Sequence, residues 1–273
     1  MVKHEWAGVF RNPYLDIELL RGCFIEQAFL THMHDYFVIG LIHAGIQSFT
    51  YRATKYITPP GGVFVLNPGE AHTGEAADEK GFNYFALYPT VTHVKKIAGE
   101  ITDKDHELPC FQAVRIDDAA LAAQLKALDA SLLHGGDRLH CECLFFGILT
   151  SLVEQYADIR CSAVAVRKVP KAIKIAKEYI QDNWSTGVAL SDLAACTGLS
   201  RYYFLRLFKN SVGLSPHEYL DSIRLIHAKK LIKDGLALQA VAYAAGFSDQ
   251  SHFTNRFKQY MGFTPGQYAK EMQ

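Results

Sequence analysis

The sequence predicts an α+β protein of several domains: an N-terminal β-barrel, a helical hairpin, and an all-α C-terminal domain with two helix-turn-helix units joined by a long helix. Three observations lead there. A short helical unit near the C-terminus is written twice, 49 residues apart, from Phe204 to Phe253. The first 90 residues consist of short aromatic and β-branched runs broken by Gly and Pro. The charge divides with the same boundary in view: residues 1–165 carry 13 Lys+Arg against 20 Asp+Glu, giving −7, and residues 166–273 carry 15 against 8, giving +7, so the total of zero hides a basic half. At about 100–200 residues per domain, 273 residues suit two domains.

The repeat is detailed. Phe204, Phe208, Lys209, Gly213, Pro216 and Tyr219 recur in order as Phe253, Phe257, Lys258, Gly262, Pro265 and Tyr268. Upstream of the first copy, Leu190, Leu193 and Ala194 make an apolar helix face, Gly198 permits a tight turn, and Ser200 can cap the next helix. Leu238, Val241, Ala242 and Gly246 do the same for the second copy, with a turn one residue longer. Ser215-Pro216 and Thr264-Pro265 each read as a cap followed by proline at the first helical position. One such match occurs by chance in many helical proteins; two in tandem are a specific signal.

With the phenylalanines inward, helical spacing turns Tyr202, Leu205, Arg206 and Lys209 outward beside Arg201. The second copy turns out Ser251, Thr254, Asn255 and Lys258, with Asp249 and Gln250 at the helix start. Arg, Asn and Gln pair with base edges and Lys with phosphate, so both faces suit a major groove. On one helix these would be ordinary solvated residues; the repeat favours the groove. Residues 216–233, with Tyr219, Leu220, Ile223, Ile226 and Leu231, form the joining helix. About 17 helical residues span roughly 25 Å, and successive major grooves on one face of a duplex lie about 34 Å apart. One chain would read two neighbouring grooves.

Here the C-terminal 105 or so residues resemble the AraC/XylS-type transcription regulators. Gly246-Phe247-Ser248-Asp249-Gln250-Ser251-His252-Phe253, then Arg256-Phe257-Lys258 and Gly262-Phe263-Thr264-Pro265, match that family's most specific signature nearly residue for residue. The resemblance implies a DNA-binding regulator, expected to be an activator, with double-stranded promoter DNA, RNA polymerase and a second copy of the chain as partners. One position departs: Leu205 stands where the family often places a polar base-reading residue, which shifts reading in that helix toward Tyr202 and Arg206.

Strand-like runs at 36–43, 46–51, 63–66 and 82–88 are separated by Ala44-Gly45, Pro59-Pro60-Gly61-Gly62 and Asn67-Pro68-Gly69-Glu70, the punctuation of a small antiparallel barrel. Residues 1–90 are read as that barrel and 91–159 as a dimerising hairpin, with helices at 119–133 and 139–156 around His134-Gly135-Gly136-Asp137. Leu128, Leu132, Leu144 and Ile148 are its expected dimer contacts. A linker at 160–169 leads to the DNA-binding domain at 170–273. His32-x-His34 and Gly62 through His72 resemble the two cupin motifs of a metabolite-sensing domain. The acidic ligand expected after the second His is absent, with Tyr36, Phe37 and Val38 in its place, and the second motif is one residue short.

The expected effector site comprises His32, His34, Tyr36, His72, Tyr84 and Tyr88, a pocket for a small polar metabolite with no metal and no cofactor. A three-histidine metal site and purely structural histidines stay open. The alternative overall is a metal-dependent cupin enzyme tethered to a DNA-binding domain; the reading favoured is a regulator without enzyme activity. Six cysteines without a CxxC pair suggest reduced thiols, and His140, Cys141 and Cys143 fall in a helical pattern where Cys serves as a small hydrophobe. The chain shows neither a signal-like N-terminus nor an 18-residue apolar run, so a cytoplasmic protein away from the membrane is expected.

Overall fold

The computed structural model describes residues 4–102, 108–158 and 170–272. The expected linker at 160–169 lies outside the described residues. Strands β1 (Trp6–Asn12), β2 (Ile17–Phe24), β3 (Phe29–His32), β4 (Val38–Gly45), β5 (Gln47–Tyr51), β6 (Thr54–Thr58), β7 (Val63–Leu66), β8 (His72–Ala76) and β9 (Phe82–Tyr88) build most of the N-terminal half. After them come α1 (Val91–Thr102), β10 (Cys110–Phe111), β11 (Arg115–Ile116), α2 (Ala119–Leu133), α3 (Arg138–Tyr156) and β12 (Ala157–Asp158). A six-stranded sheet runs β1-β2-β9-β4-β7-β11 and a four-stranded sheet β3-β8-β5-β6. All pairings within them are antiparallel. β11 pairs with β7, so the sheet extends past residue 90.

The six-stranded sheet is buried on both faces. One face packs Leu20, Val38, Phe64 and Tyr84 toward the smaller sheet. The other packs Leu19, Ile39, Leu41, Phe85 and Leu87 under α1, α2 and α3. Arg21 and His43, both from the sheet, converge on the buried carboxylate of Asp129 in α2 and tie the hairpin down; His43 stands at 2.8 Å. This corrects the expected dimer contacts: Leu128 and Ile148 are fully buried inside the chain, and Leu132 and Leu144 pack against the same core. The apolar face read from the sequence is covered by the protein's own sheet.

The C-terminal half consists of α4 (Lys171–Asp182), α5 (Leu190–Thr197), α6 (Arg201–Val212), α7 (Pro216–Lys233), α8 (Leu238–Ala244), α9 (Gln250–Met261) and α10 (Pro265–Met272). The caps explain the boundaries. Ser200 Oγ accepts from Tyr203 N, and Ser215 and Glu218 form a reciprocal capping box at the start of α7. Gly213 and Gly262, the matching stops of α6 and α9, have φ of 80° and 81°, which side chains disfavour.

The two halves share a core. Phe253, Phe257, Tyr260, Phe263 and Tyr268 belong to one buried cluster with Leu20, Phe24, Phe64 and Tyr84 of the barrel. A side chain at Gly262 would run into the rings of Phe29 and Phe24 at about 2.8–3.0 Å. The first unit instead packs around Phe204, Phe208 and Tyr219, and Met33 joins it from the barrel side.

Candidate nucleic-acid interface and effector pocket

The reading helices present the expected faces. Phe204, Phe208, Phe253 and Phe257 are fully buried, which leaves Arg201, Tyr202, Leu205, Arg206 and Lys209 exposed on α6. On α9, Gln250, Ser251, Asn255 and Lys258 are exposed and Thr254 is half-buried. Asp249 is the N-cap, its carboxylate accepting from His252 N at 2.7 Å and from Ser248. That carboxylate is engaged in holding the helix start, which leaves Gln250 as the first exposed residue of the helix itself.

α7 fixes how the two heads sit. Arg224 donates to Trp184 O (2.9 Å) and Thr186 O (3.1 Å) beside the first unit, while its guanidinium lies against Gly246 and over Phe247 of the second. Asp221, buried, faces Arg256 of α9 at 3.4 Å and His217 at 3.5 Å. Arg256, which sequence spacing left unassigned, is thereby turned toward α7.

All six expected effector residues line one cavity of about 50 Å³. β3 and β8 pair with His32 opposite His72, and His34 follows two residues after β3 ends. Tyr84 and Tyr88 come from the inner face of β9, and Tyr36 stacks on His34 with centroids 4.7 Å apart. Burial holds all three imidazoles well toward the neutral form, with His72 at about 4. Burial likewise keeps Tyr36, Tyr84 and Tyr88 protonated, so they act as neutral hydrogen-bonding groups.

The wall facing the histidines was not found from sequence. Lys229 of α7, Tyr260 and Met261 of α9 and Phe263 close the cavity. Beside them lies a buried charge cluster. Glu18 of β2 pairs with Lys229 (2.8 Å) and Lys233 and accepts from Tyr268 Oη (2.7 Å), and Lys229 also donates to Tyr36 Oη (3.2 Å). Burial pushes the Glu18 carboxyl up, but the two ammonium groups outweigh it and hold the pKa at about 2. Because this cluster joins β2 to α7 and α10, no local periodicity signals it.

The fold and site define a class: a DNA-reading module of two helix-turn-helix units docked on a β-barrel that contains a small-molecule cavity. Comparisons agree. Residues 193–271 match the helix-turn-helix domain model, and residues 14–149 match that of the AraC-like ligand binding domain. The chain is 34% identical over 251 residues to the uncharacterized HTH-type transcriptional regulator YbfI of Bacillus subtilis, covering 92% of this chain and 90% of YbfI. It is 25% identical to the HTH-type transcriptional activator RhaS of Yersinia pseudotuberculosis, covering 88% and 89%. ToxT of Vibrio cholerae has the same fold, with a TM-score of 0.56 at 14% identity over 98% of each chain. The chain therefore belongs to the AraC-type family of helix-turn-helix transcriptional regulators. Among the described residues, no helix is long and apolar enough to cross a membrane.

Proposed function

We propose that this regulator is a promoter-binding activator in the cytoplasm whose barrel senses a small polar metabolite, and that occupancy of the cavity changes how the second helix-turn-helix unit sits on the barrel. One observation carries the reading: the cavity wall is built from both halves, with histidines and tyrosines on one side and Lys229, Tyr260, Met261 and Phe263 on the other. A cavity of about 50 Å³ has room for about four waters, since one needs roughly 10–15 Å³. An effector that fills the cavity touches α7 and α9, which supply part of its wall, and this connects binding to the reading heads. RhaS is named an activator, and ToxT has been solved with an unsaturated fatty acid bound; both fit a ligand-controlled activator better than a tethered enzyme.

In this division of labour the barrel binds the effector, residues 170–273 bind DNA and contact RNA polymerase, and the α2–α3 hairpin dimerises the chain. Leu133, Leu139 and Phe146 are its exposed large apolar side chains, and they replace the buried residues as dimer candidates. The test is a thermal-shift screen of sugars, amino acids and organic acids on the full chain. A true effector at 100 times its Kd stabilises by about 2.7 kcal/mol, shifts promoter affinity in wild type and fails to do so in His72→Ala. A ligand that occupies the cavity and leaves promoter affinity unchanged refutes the coupling.

A further inference from the structure

Three imidazoles meet in the cavity, and their surroundings decide which nitrogens are free. His32, His34 and His72 are all buried. His32 Nδ1 lies 2.6 Å from Leu30 O, and His72 Nδ1 lies 3.0 Å from Glu70 O. A carbonyl can only accept, so both Nδ1 atoms carry hydrogen, and in a neutral ring Nε2 is then a lone pair. His32 Nε2 accepts from His34 Nε2–H at 3.1 Å, so an ion binding here would take the place of that proton, and one ligand atom from each of the three rings lies within 4.8 Å of the others. A ring that donates one nitrogen to a backbone carbonyl and aims the other at a shared point is the arrangement histidines adopt around a metal.

We propose that His32, His34 and His72 bind one divalent transition-metal ion, with its open coordination position turned into the cavity toward Tyr84, Tyr88 and Lys229. The proposal deepens the effector-pocket reading and rests on it only for the ion's regulatory role. It departs from the metal-free pocket that the sequence suggests. The spacing fits: metal–nitrogen bonds of about 2.0–2.1 Å in a tetrahedral site put ligand nitrogens about 3.4 Å apart, close to the 3.1 Å between His32 and His34. The ligand atom of His72 lies within 4.8 Å of both. Burial keeps the rings in the neutral, ligand-competent form.

The donor set indicates the class of ion. Three neutral imidazoles suit Zn²⁺, Co²⁺, Ni²⁺ or Fe²⁺ rather than Mg²⁺ or Ca²⁺, which favour oxygen. None of the three ligands is acidic, so both positive charges remain uncompensated by the protein's ligands. The open position therefore favours a small oxygen-donor anion, and the nearby ammonium of Lys229 favours the same charge. The metabolite class narrows accordingly, from small and polar to small and anionic, with a carboxylate or hydroxycarboxylate as the group that meets the ion.

The test uses the full chain made without a histidine tag, stripped with a chelator and titrated with Co²⁺, then with Zn²⁺ as competitor. The expected result is one Co²⁺ per chain with visible ligand-field absorption, abolished by one equivalent of Zn²⁺. His32→Gln, His34→Gln and His72→Gln should each weaken binding by at least about tenfold, the lower end of what losing even an outer-shell partner costs. His140→Gln, at an exposed position on α3, should leave it unchanged. Wild-type protein that is folded by circular dichroism yet takes up no stoichiometric Co²⁺ overturns the proposal whatever the variants do, as does binding that survives in all three variants. The two readings fail separately. Stripped protein that takes no metal but still responds to an effector on DNA refutes the metal site alone; stoichiometric metal with a promoter affinity indifferent to every ligand supports the metal site and refutes the effector reading.

Discussion

The two helix-turn-helix units have the same sequence plan and different neighbours. In the first, Phe204 and Phe208 close a core made almost wholly of C-terminal residues, with Met33 as the barrel's buried contribution. In the second, Phe253 and Phe257 lie in the same cluster as Phe24, Phe64 and Tyr84, and α9 ends against the cavity lined by the three histidines. Even the matching glycines differ. A side chain at Gly213 would meet only the Ala71 methyl, at 3.1 Å, among the described residues, whereas one at Gly262 would run into two phenylalanine rings. The repeat supplies two helix-turn-helix units, and docking puts one of them in the cavity wall. The DNA-binding half is not a separate body, since its second unit shares a buried core with the barrel.

The largest expected effect comes from breaking that dock. Glu18→Ala leaves the buried Lys229 ammonium without its carboxylate and Tyr268 Oη without its acceptor, and loss of one partner of a buried pair costs about 3–5 kcal/mol. Chemical denaturation should show that loss. A change below about 1 kcal/mol would mean that the cluster contributes little to holding the halves together.

Acid should loosen the same contact without mutation. The folded pKa of Glu18, about 2, lies below its ordinary 4.5, so its contribution is complete above about pH 4.5 and disappears as pH falls toward 2. The buried histidines act in the same direction at higher pH. His72 sits at about 4 against an ordinary 6.5, so keeping it neutral stabilises the fold above about pH 6.5 and loses that benefit as pH falls to 4. Melting temperatures measured from pH 7 to pH 2 should decline throughout, and Glu18→Ala should flatten the part of the decline below about pH 4.5.

Smaller effects sharpen the comparison on DNA. Arg206→Ala should cost about 1–3 kcal/mol on the cognate site and relax preference at one position, while Lys209→Ala should weaken all sequences alike and lower the salt slope by about one. Equal losses on cognate and scrambled DNA for Arg206→Ala would assign it to phosphate. Smallest is Ser215→Ala, which removes the α7 capping box for about 1 kcal/mol; unfolding measurements should show that cost with little change in the preference among DNA sequences.

How much was legible follows from where each signal lies. Residues 216–233, 119–133, 63–66 and 82–88 coincide with α7, α2, β7 and β9, because their caps, periods and turn residues are local. β2 escaped because it is buried on both faces, Ile17 and Leu19 under the helices and Leu20 and Phe24 toward the smaller sheet, which removes the alternation that marks a strand. β8, with Thr73-Gly74-Glu75, lacks strand-forming residues over most of its length. Tyr84 and Tyr88 could be listed because strand period puts them on one face of 82–88, and His32, His34 and His72 because their spacing resembles the cupin motifs. Lys229 could not, since a lysine on an amphipathic helix reads as solvated until another domain covers it. Leu128 and Ile148 show the converse limit: an apolar stripe is visible in sequence, but what covers it is not.

Hydrogen exchange on wild type and Glu18→Ala tests the central asymmetry most directly, because backbone amides report opening element by element. Releasing the dock should speed exchange in α8, α9 and α10 and at the α7 turn that carries Lys229, while α5 and α6 keep their wild-type protection. Equal acceleration in α6 and α9, or acceleration in the first unit alone, would contradict the account that the barrel holds the second reading head.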